Sequence, residues 1–237
     1  MNEKSEISTF DDRMNSEHNY PGKLFVLEGI DGSGKTTQLT LLQKWLESKG
    51  YAVNYTRRRT SKLVSRTIEK AKANKTLNPV TYCLIHASDF ADRLENDIIP
   101  ALRAGIFILA DKYIYTSFVR DAAMGNDLEW VKKIYGFAIK PDAVVYLDLP
   151  VEEAIERIKG TNKLGQYQAG LQYDFHPDPV QSFRIFQSKV YKEYQKLWEE
   201  HECLIIDATT PIHKQQNQLR QYIGSILSLS GTSVTED

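Results

Sequence analysis

Gly29-Ile30-Asp31-Gly32-Ser33-Gly34-Lys35-Thr36 constrains this chain more than any other stretch. The spacing G-x-x-x-x-G-K-[ST] belongs to a glycine-rich turn whose free backbone N–H groups, together with a helix N-terminus, cradle a polyphosphate. Its setting agrees. Leu24-Phe25-Val26-Leu27 is a short apolar run that reads as a buried strand. Leu39, Leu42 and Leu46 then recur on one face of a helix that ends near Gly50. A βα turn that bound nothing would leave unexplained the Lys after the last glycine and the hydroxyls of Thr36 and Thr37 after the Lys. Residues Gly29, Ile30, Asp31, Gly32, Ser33, Gly34, Lys35, Thr36 and Thr37 are therefore the candidate phosphate cradle.

The rest of the chain alternates in the same way. Ala52 to Thr56, Ile106 to Ala110, Ala143 to Leu147 and Cys203 to Ile206 are further strand candidates. Helices are expected over about Ser61–Ala73, a long stretch from Pro79 to Arg103, Tyr115–Met124, Leu128–Ile139, Pro150–Lys159, Val180–His201 and Pro211–Leu227. Short apolar strands without in/out alternation, separated by helices, predict an α/β fold of three layers: a five-stranded parallel sheet covered by helices on both faces. Ligands of such sheets bind beyond the C-terminal ends of the strands. The glycine loop, Arg57, Asp111, Asp148 and Asp207 all fall at those ends.

Length and charge narrow the classes. At 237 residues and 41% hydrophobic content the chain suits one domain with a large core, expected over residues 21–227. Residues 1–20 and 228–237 read as polar, flexible tails. A net charge of -1 supplies no global field for a nucleic-acid polymer. Cys83 and Cys203 lie far apart in apolar runs and read as buried free thiols. No apolar run approaches the ~18 residues that span a bilayer. The first twenty residues lack a signal peptide's apolar stretch, so cytoplasm is the expected location.

Phosphoryl transfer requires positioning, a metal and positive charge, with little covalent work by the protein. Lys35 suits the terminal phosphates and Thr36 a Mg²⁺ ion. Asp111, directly after a strand, suits the metal as well; the competing role is a helix cap. Arg57 ends a strand beside the loop and its planar fork matches a phosphate, although Arg57-Arg58-Arg59 also fits a solvated loop. Residues 160–179 have the composition of a lid, with Lys159 and Lys163 as phosphate contacts; a plain surface loop is the alternative.

From Lys23 to about Ile223 the chain resembles the thymidylate kinases, P-loop nucleoside monophosphate kinases. The resemblance rests on Leu27-Glu28-Gly29-Ile30-Asp31-Gly32-Ser33-Gly34-Lys35-Thr36-Thr37-Gln38, Thr56-Arg57, Ile99-Pro100-Ala101-Leu102 with Gly105, Asp111-Lys112-Tyr113 with Thr116-Ser117, Lys140-Pro141-Asp142, Tyr146-Leu147-Asp148-Leu149-Pro150-Val151-Glu152 and Ile206-Asp207-Ala208. It implies transfer of the γ-phosphoryl of ATP, with Mg²⁺, to a nucleoside monophosphate such as dTMP, and a homodimer. It implies that Asp31 faces acceptor sugar and metal, Arg57 clamps the acceptor phosphate, and the loop after Asp207 and Ala208 lies along adenine.

The departures gather on the acceptor side. Arg58-Arg59-Thr60 stands where the family has Glu-Pro-Gly, and Asp111-Lys112-Tyr113 where it has Asp-Arg-Tyr. Ungapped alignment back from Pro100 puts His86 on the aromatic that stacks on the base and Phe90 on the arginine that reads it. Arg93, one helical turn on, is the expected substitute. Arg120-Asp121 replaces Tyr-Gln near the base; Asp121 can accept from a ring N–H. The expected acceptor-site set is thus Arg57, His86, Phe90, Arg93, Lys112, Tyr113, Arg120 and Asp121. The lid and glycine loop lack arginines, leaving the transferred charge to Lys159, Lys163 or Arg184. Three functions stay open: a kinase of dTMP or a relative, a kinase of another small anion on the same scaffold, and a nucleotide-binding regulator with little catalysis.

Overall fold

The computed structural model describes residues 17–58, 60–73, 78–159 and 169–229. Five strands, β1 (Leu24–Glu28), β2 (Val53–Arg57), β3 (Phe107–Asp111), β4 (Ala143–Asp148) and β5 (Leu204–Asp207), form one sheet in the order β2-β3-β1-β4-β5. Every pairing is parallel. All five residues of β1 are buried, as its unalternating apolar sequence predicts for a strand covered on both faces. The helices are α1 (Lys35–Ser48), α2 (Ser65–Ala73), α3 (Pro79–Arg93), α4 (Ile99–Arg103), α5 (Ile114–Ala123), α6 (Leu128–Ile134), α7 (Val151–Lys159), α8 (Pro179–Glu200) and α9 (Ile212–Leu229). Helix α1 packs on α9, while α5 packs on α8, with α3 and α6 beside it.

Register puts the candidate residues on one rim. Asp111 lies across from Leu27 on one side and Arg57 on the other, and Asp148 lies across from Asp207. The crevice past these strand ends is where the sheet presents its ligands.

Several boundaries differ from expectation for identifiable reasons. The expected long helix from Pro79 to Arg103 passes through a π-helical turn at Leu94–Ile98. Pro100 has no N–H to give the carbonyl of Asn96, and the turn widens ahead of it. Helix α6 stops at Ile134, five residues short of the expected end, because Tyr135 to Gly136 close it with tighter turn bonds to Lys132 and Lys133. The expected tail boundary at residue 20 is corrected. His18 Nε2 lies 2.9 Å from Asp142 Oδ2 and Tyr20 packs against the core, so these two residues of the expected tail rest on the domain. At the other end α9 runs to Leu229. Of the expected lid, residues 160–168, with Lys163, lie outside the described residues; a single 3-10 turn follows at Leu171–Tyr173. Among the described residues no helix is long and apolar enough to cross a membrane.

Candidate active site

The loop between β1 and α1 has the backbone its glycines predict. Gly29 has φ 146°, and a Cβ there would meet Leu147 O at 2.8 Å. Gly34, at φ 96°, precedes α1 in the left-handed conformation, a position open to glycine at little cost. The Lys35 side chain curls over this turn. Its Nζ donates to Gly29 O at 3.0 Å, Ile30 O at 2.7 Å and Ser33 Oγ at 3.1 Å. Burial and the neighbouring Lys112 hold this ammonium down at about 8, against the pull of Asp111, Asp31 and Glu28. A buried cation in this state is stabilised by any anion that enters beside it.

Thr36 and Asp111 are in direct contact. Thr36 Oγ1 donates to Asp111 Oδ2 at 3.1 Å, and Tyr55 Oη donates to the same oxygen at 2.8 Å. The alternative role for Asp111 falls away, since the residue before α5 is Tyr113 and no side chain caps that helix. A hydroxyl and a carboxylate in contact, open to phosphate oxygens and water, fit the hard, oxygen-loving Mg²⁺ ion, which keeps much of its own hydration. Tyr55, exposed on edge strand β2, was not singled out by the sequence; its alternate position on that strand gave no sign that it reaches Asp111.

Asp31 is bonded by three side chains from outside the loop. Lys112 Nζ lies 2.5 Å from Oδ1, while Arg120 Nη1 and Gln187 Nε2 lie 3.4 and 3.3 Å from Oδ2. Burial alone would raise this carboxyl; the charges of Lys112, Arg120 and Lys35 override it and hold the group far below the usual range. Arg120 comes from α5 and its guanidinium also lies 4.6 Å over the ring of Phe186 on α8. An arginine thus reaches the glycine loop, but from a helix that the sequence assigned to the base. Lys112 is placed by a left-handed backbone, φ 71°, rare for a residue with a side chain and characteristic of functional turns.

Under the loop lies Glu28, fully buried, its carboxyl raised by that burial against four hydrogen bonds. It accepts from Tyr113 N (2.8 Å), Thr116 N (3.2 Å), Thr116 Oγ1 (2.5 Å) and Tyr194 Oη (2.7 Å). This one side chain joins β1 to α5 and α8.

The acceptor-side expectations fare unevenly. His86 is buried against Tyr82, with ring centroids 4.3 Å apart. Asp121 is buried on α5 next to Arg120. Arg57 is exposed at the end of β2, level with Asp111. Phe90 is a correction: its ring is enclosed by Tyr113, Tyr135 and Phe137 at 5.0 to 5.8 Å and belongs to the core. Arg93 is a second correction. It is 2% exposed, with Nε on Asp89 (3.2 Å) and Nη1 on Thr56 Oγ1 (3.0 Å), so it ties α3 to β2 and does not take over from Phe90. Tyr113 is a third, its hydroxyl turned inward onto Ile139 O at 3.0 Å. Lys159 is exposed and paired with Glu156, and Arg184 forms a fork on Glu152 at 2.7 and 2.9 Å. Asp207 turns back onto Thr209 N and Oγ1 (2.8 and 2.6 Å), while the carbonyl of Ala208 accepts from Arg157 at 2.7 Å.

The parallel sheet and its glycine loop define an α/β fold of the P-loop NTPase type. The family model for thymidylate kinase matches residues 27–219. "Probable thymidylate kinase 2" of Saccharolobus solfataricus is 36% identical over 211 residues, covering 88% of this chain and 99% of that one. "Probable thymidylate kinase" of Thermococcus kodakarensis is 35% identical over 214 residues, 85% of this chain and 97% of its own. The corresponding protein of Pyrococcus horikoshii is 38% identical over 152 residues, 62% and 74% of the two chains. The chain belongs to the thymidylate kinase family, a group of nucleoside monophosphate kinases.

Proposed function

We propose that this protein transfers the γ-phosphoryl group of Mg·ATP to the phosphate of a nucleoside monophosphate, with dTMP the leading acceptor. The observation that carries the reading is the Thr36–Asp111 contact beside the Lys35 ammonium, all within one crevice. Lys35 would leave its carbonyl partners for the β- and γ-phosphates. Thr36 and Asp111 would hold Mg²⁺, which neutralises phosphate charge when bound. Arg57, free on the rim, would clamp the acceptor phosphate. Asp31, kept ionised by Lys112 and Arg120, would orient the acceptor.

Negative charge spreads over the moving phosphoryl group in the transition state, and fixed cations in a dry site are worth more there than in water. We assign that task to Arg120 and Lys112, which converge on Asp31 next to the loop.

A more anionic acceptor draws its support from the added charge of Arg58, Arg59 and Arg120, of which Arg59 lies outside the described residues. That support weakens, because Arg120 is balanced by Asp31 and Arg58 lies within charge range of Asp121. The deciding test is ADP release from ATP over a panel of nucleoside monophosphates and sugar phosphates. Turnover on dTMP above all others supports the reading, and a preference for a sugar phosphate overturns it.

A further inference from the structure

The carboxylate of Asp111 is held unevenly. Thr36 Oγ1 (3.1 Å) and Tyr55 Oη (2.8 Å) both donate to Oδ2, and among the described residues no hydrogen bond falls on Oδ1. The two donors have different origins. Thr36 is the second residue of α1, next to Lys35. Tyr55 comes from β2, where it lies across from Leu109, two residues ahead of the Arg57 that is level with Asp111. Side chains alternate along a strand, so Tyr55 and Arg57 share one face of β2. Tyr55 is 39% exposed and stands outside the hydrophobic core, so its defined contact is the one its hydroxyl makes.

A carboxylate at a strand end turns about its last bond with little resistance, and that rotation exchanges its two oxygens. A single donor restrains it weakly. Two donors on the same oxygen fill its lone-pair directions, hold the group in one orientation and leave the other oxygen open. While it donates to Asp111, the Thr36 hydroxyl keeps its own lone pairs, so it can ligate an ion without releasing the carboxylate. We infer that Tyr55 is a positioning residue for the metal site: its hydroxyl locks Asp111 Oδ2 beside Thr36 and reserves Oδ1 for the ion or a water of its shell. Partners of this outer kind orient a ligand, and metal affinity falls when they are lost. The role rests on the Mg²⁺ reading of Thr36 and Asp111 and adds to it a side chain from outside the glycine loop. It also makes β2 serve both substrates, since Arg57 on the same strand is assigned to the acceptor phosphate.

The test is Mn²⁺ binding to the full chain loaded with a non-hydrolysable ATP analogue, read from the electron paramagnetic resonance signal of the free ion. Tyr55→Phe keeps the ring and removes only the hydroxyl. It should weaken Mn²⁺ binding about tenfold, the low end for an outer partner because the phenol is partly open to water. Binding of the analogue in the presence of EDTA should stay within about twofold of wild type, a split that a general loosening of the fold would not give. Asp111→Ala should weaken Mn²⁺ binding as well, and adding Tyr55→Phe to it should change nothing further, because the phenol has lost the group it holds. Mn²⁺ affinity unchanged in Tyr55→Phe but reduced in Asp111→Ala overturns the inference and leaves the Mg²⁺ reading standing. An equal loss from Tyr55→Phe with and without Asp111 overturns it too, since the phenol then acts on its own. Wild-type Mn²⁺ affinity in Asp111→Ala defeats the metal reading, and the role of Tyr55 with it.

Discussion

The two halves of the crevice are built on different plans. On the donor side the working groups are neighbours in sequence: Lys35 bonds to atoms of Gly29, Ile30 and Ser33, two to six positions away. On the acceptor side Arg58, His86 and Asp121 come from a turn and two helices, separated by tens of residues. A contiguous loop is fixed by its own backbone, whereas a dispersed wall depends on how helices pack. The first tolerates change in the rest of the molecule; the second can be refitted one side chain at a time. The lesson is that chemistry and selectivity are separable here, and variants should separate them.

The largest effect belongs to the donor side. Lys35→Met should lower kcat about a thousandfold or more, the scale of deleting a principal transition-state contact, with the circular dichroism spectrum unchanged. Persisting activity would move the reaction centre elsewhere. Arg120→Met comes next, with kcat down about 100-fold and KM for ATP nearly constant, because its charge matters most when negative charge spreads. A change confined to acceptor KM would return Arg120 to the base-reading side and sharpen the division differently. Arg57→Ala should raise acceptor KM by an amount equal to about 1.5–3 kcal/mol, the range for a charge-assisted hydrogen bond. An unaltered KM removes Arg57 from the acceptor clamp.

The smallest effect is one of pH. Lys35 sits at about 8, below the ordinary lysine range, so the folded protein favours its neutral form. In the free enzyme, raising pH from 7 to 9 therefore strips the charge and should raise KM for ATP several-fold, until bound phosphate restores the proton. Lys35→Arg, whose guanidinium stays charged, should flatten that limb in a plot of KM against pH. A slope that survives the substitution belongs to another group.

The same contrast governs what the sequence reveals. The glycine loop, the five strands and the place of Asp111 were legible because each depends on residues close in the chain or on an apolar run. The partners of Asp111, Thr36 and Tyr55, lie 75 and 56 positions from it and leave no trace in the local sequence. Alignment put Phe90 at the base-reading position, but position in a register says nothing of which neighbours enclose a ring. Arg58 reads as one of three solvated arginines, yet its Nη2 is buried, near Tyr82, Tyr135 and Asp121, all distant in sequence. Glu28 and Tyr194 gave no signal at all, since a carboxylate among apolar residues is explained only by the donors packed against it.

That carboxylate has a consequence for alignment. The donor loop grows directly out of β1, Arg120 rides on α5, and Gln187 rides on α8; Glu28 pins all three to one point. An in-line displacement loses rate steeply when reacting atoms drift by about an ångström. With a common anchor beneath them, the loop and the two helices share a single datum.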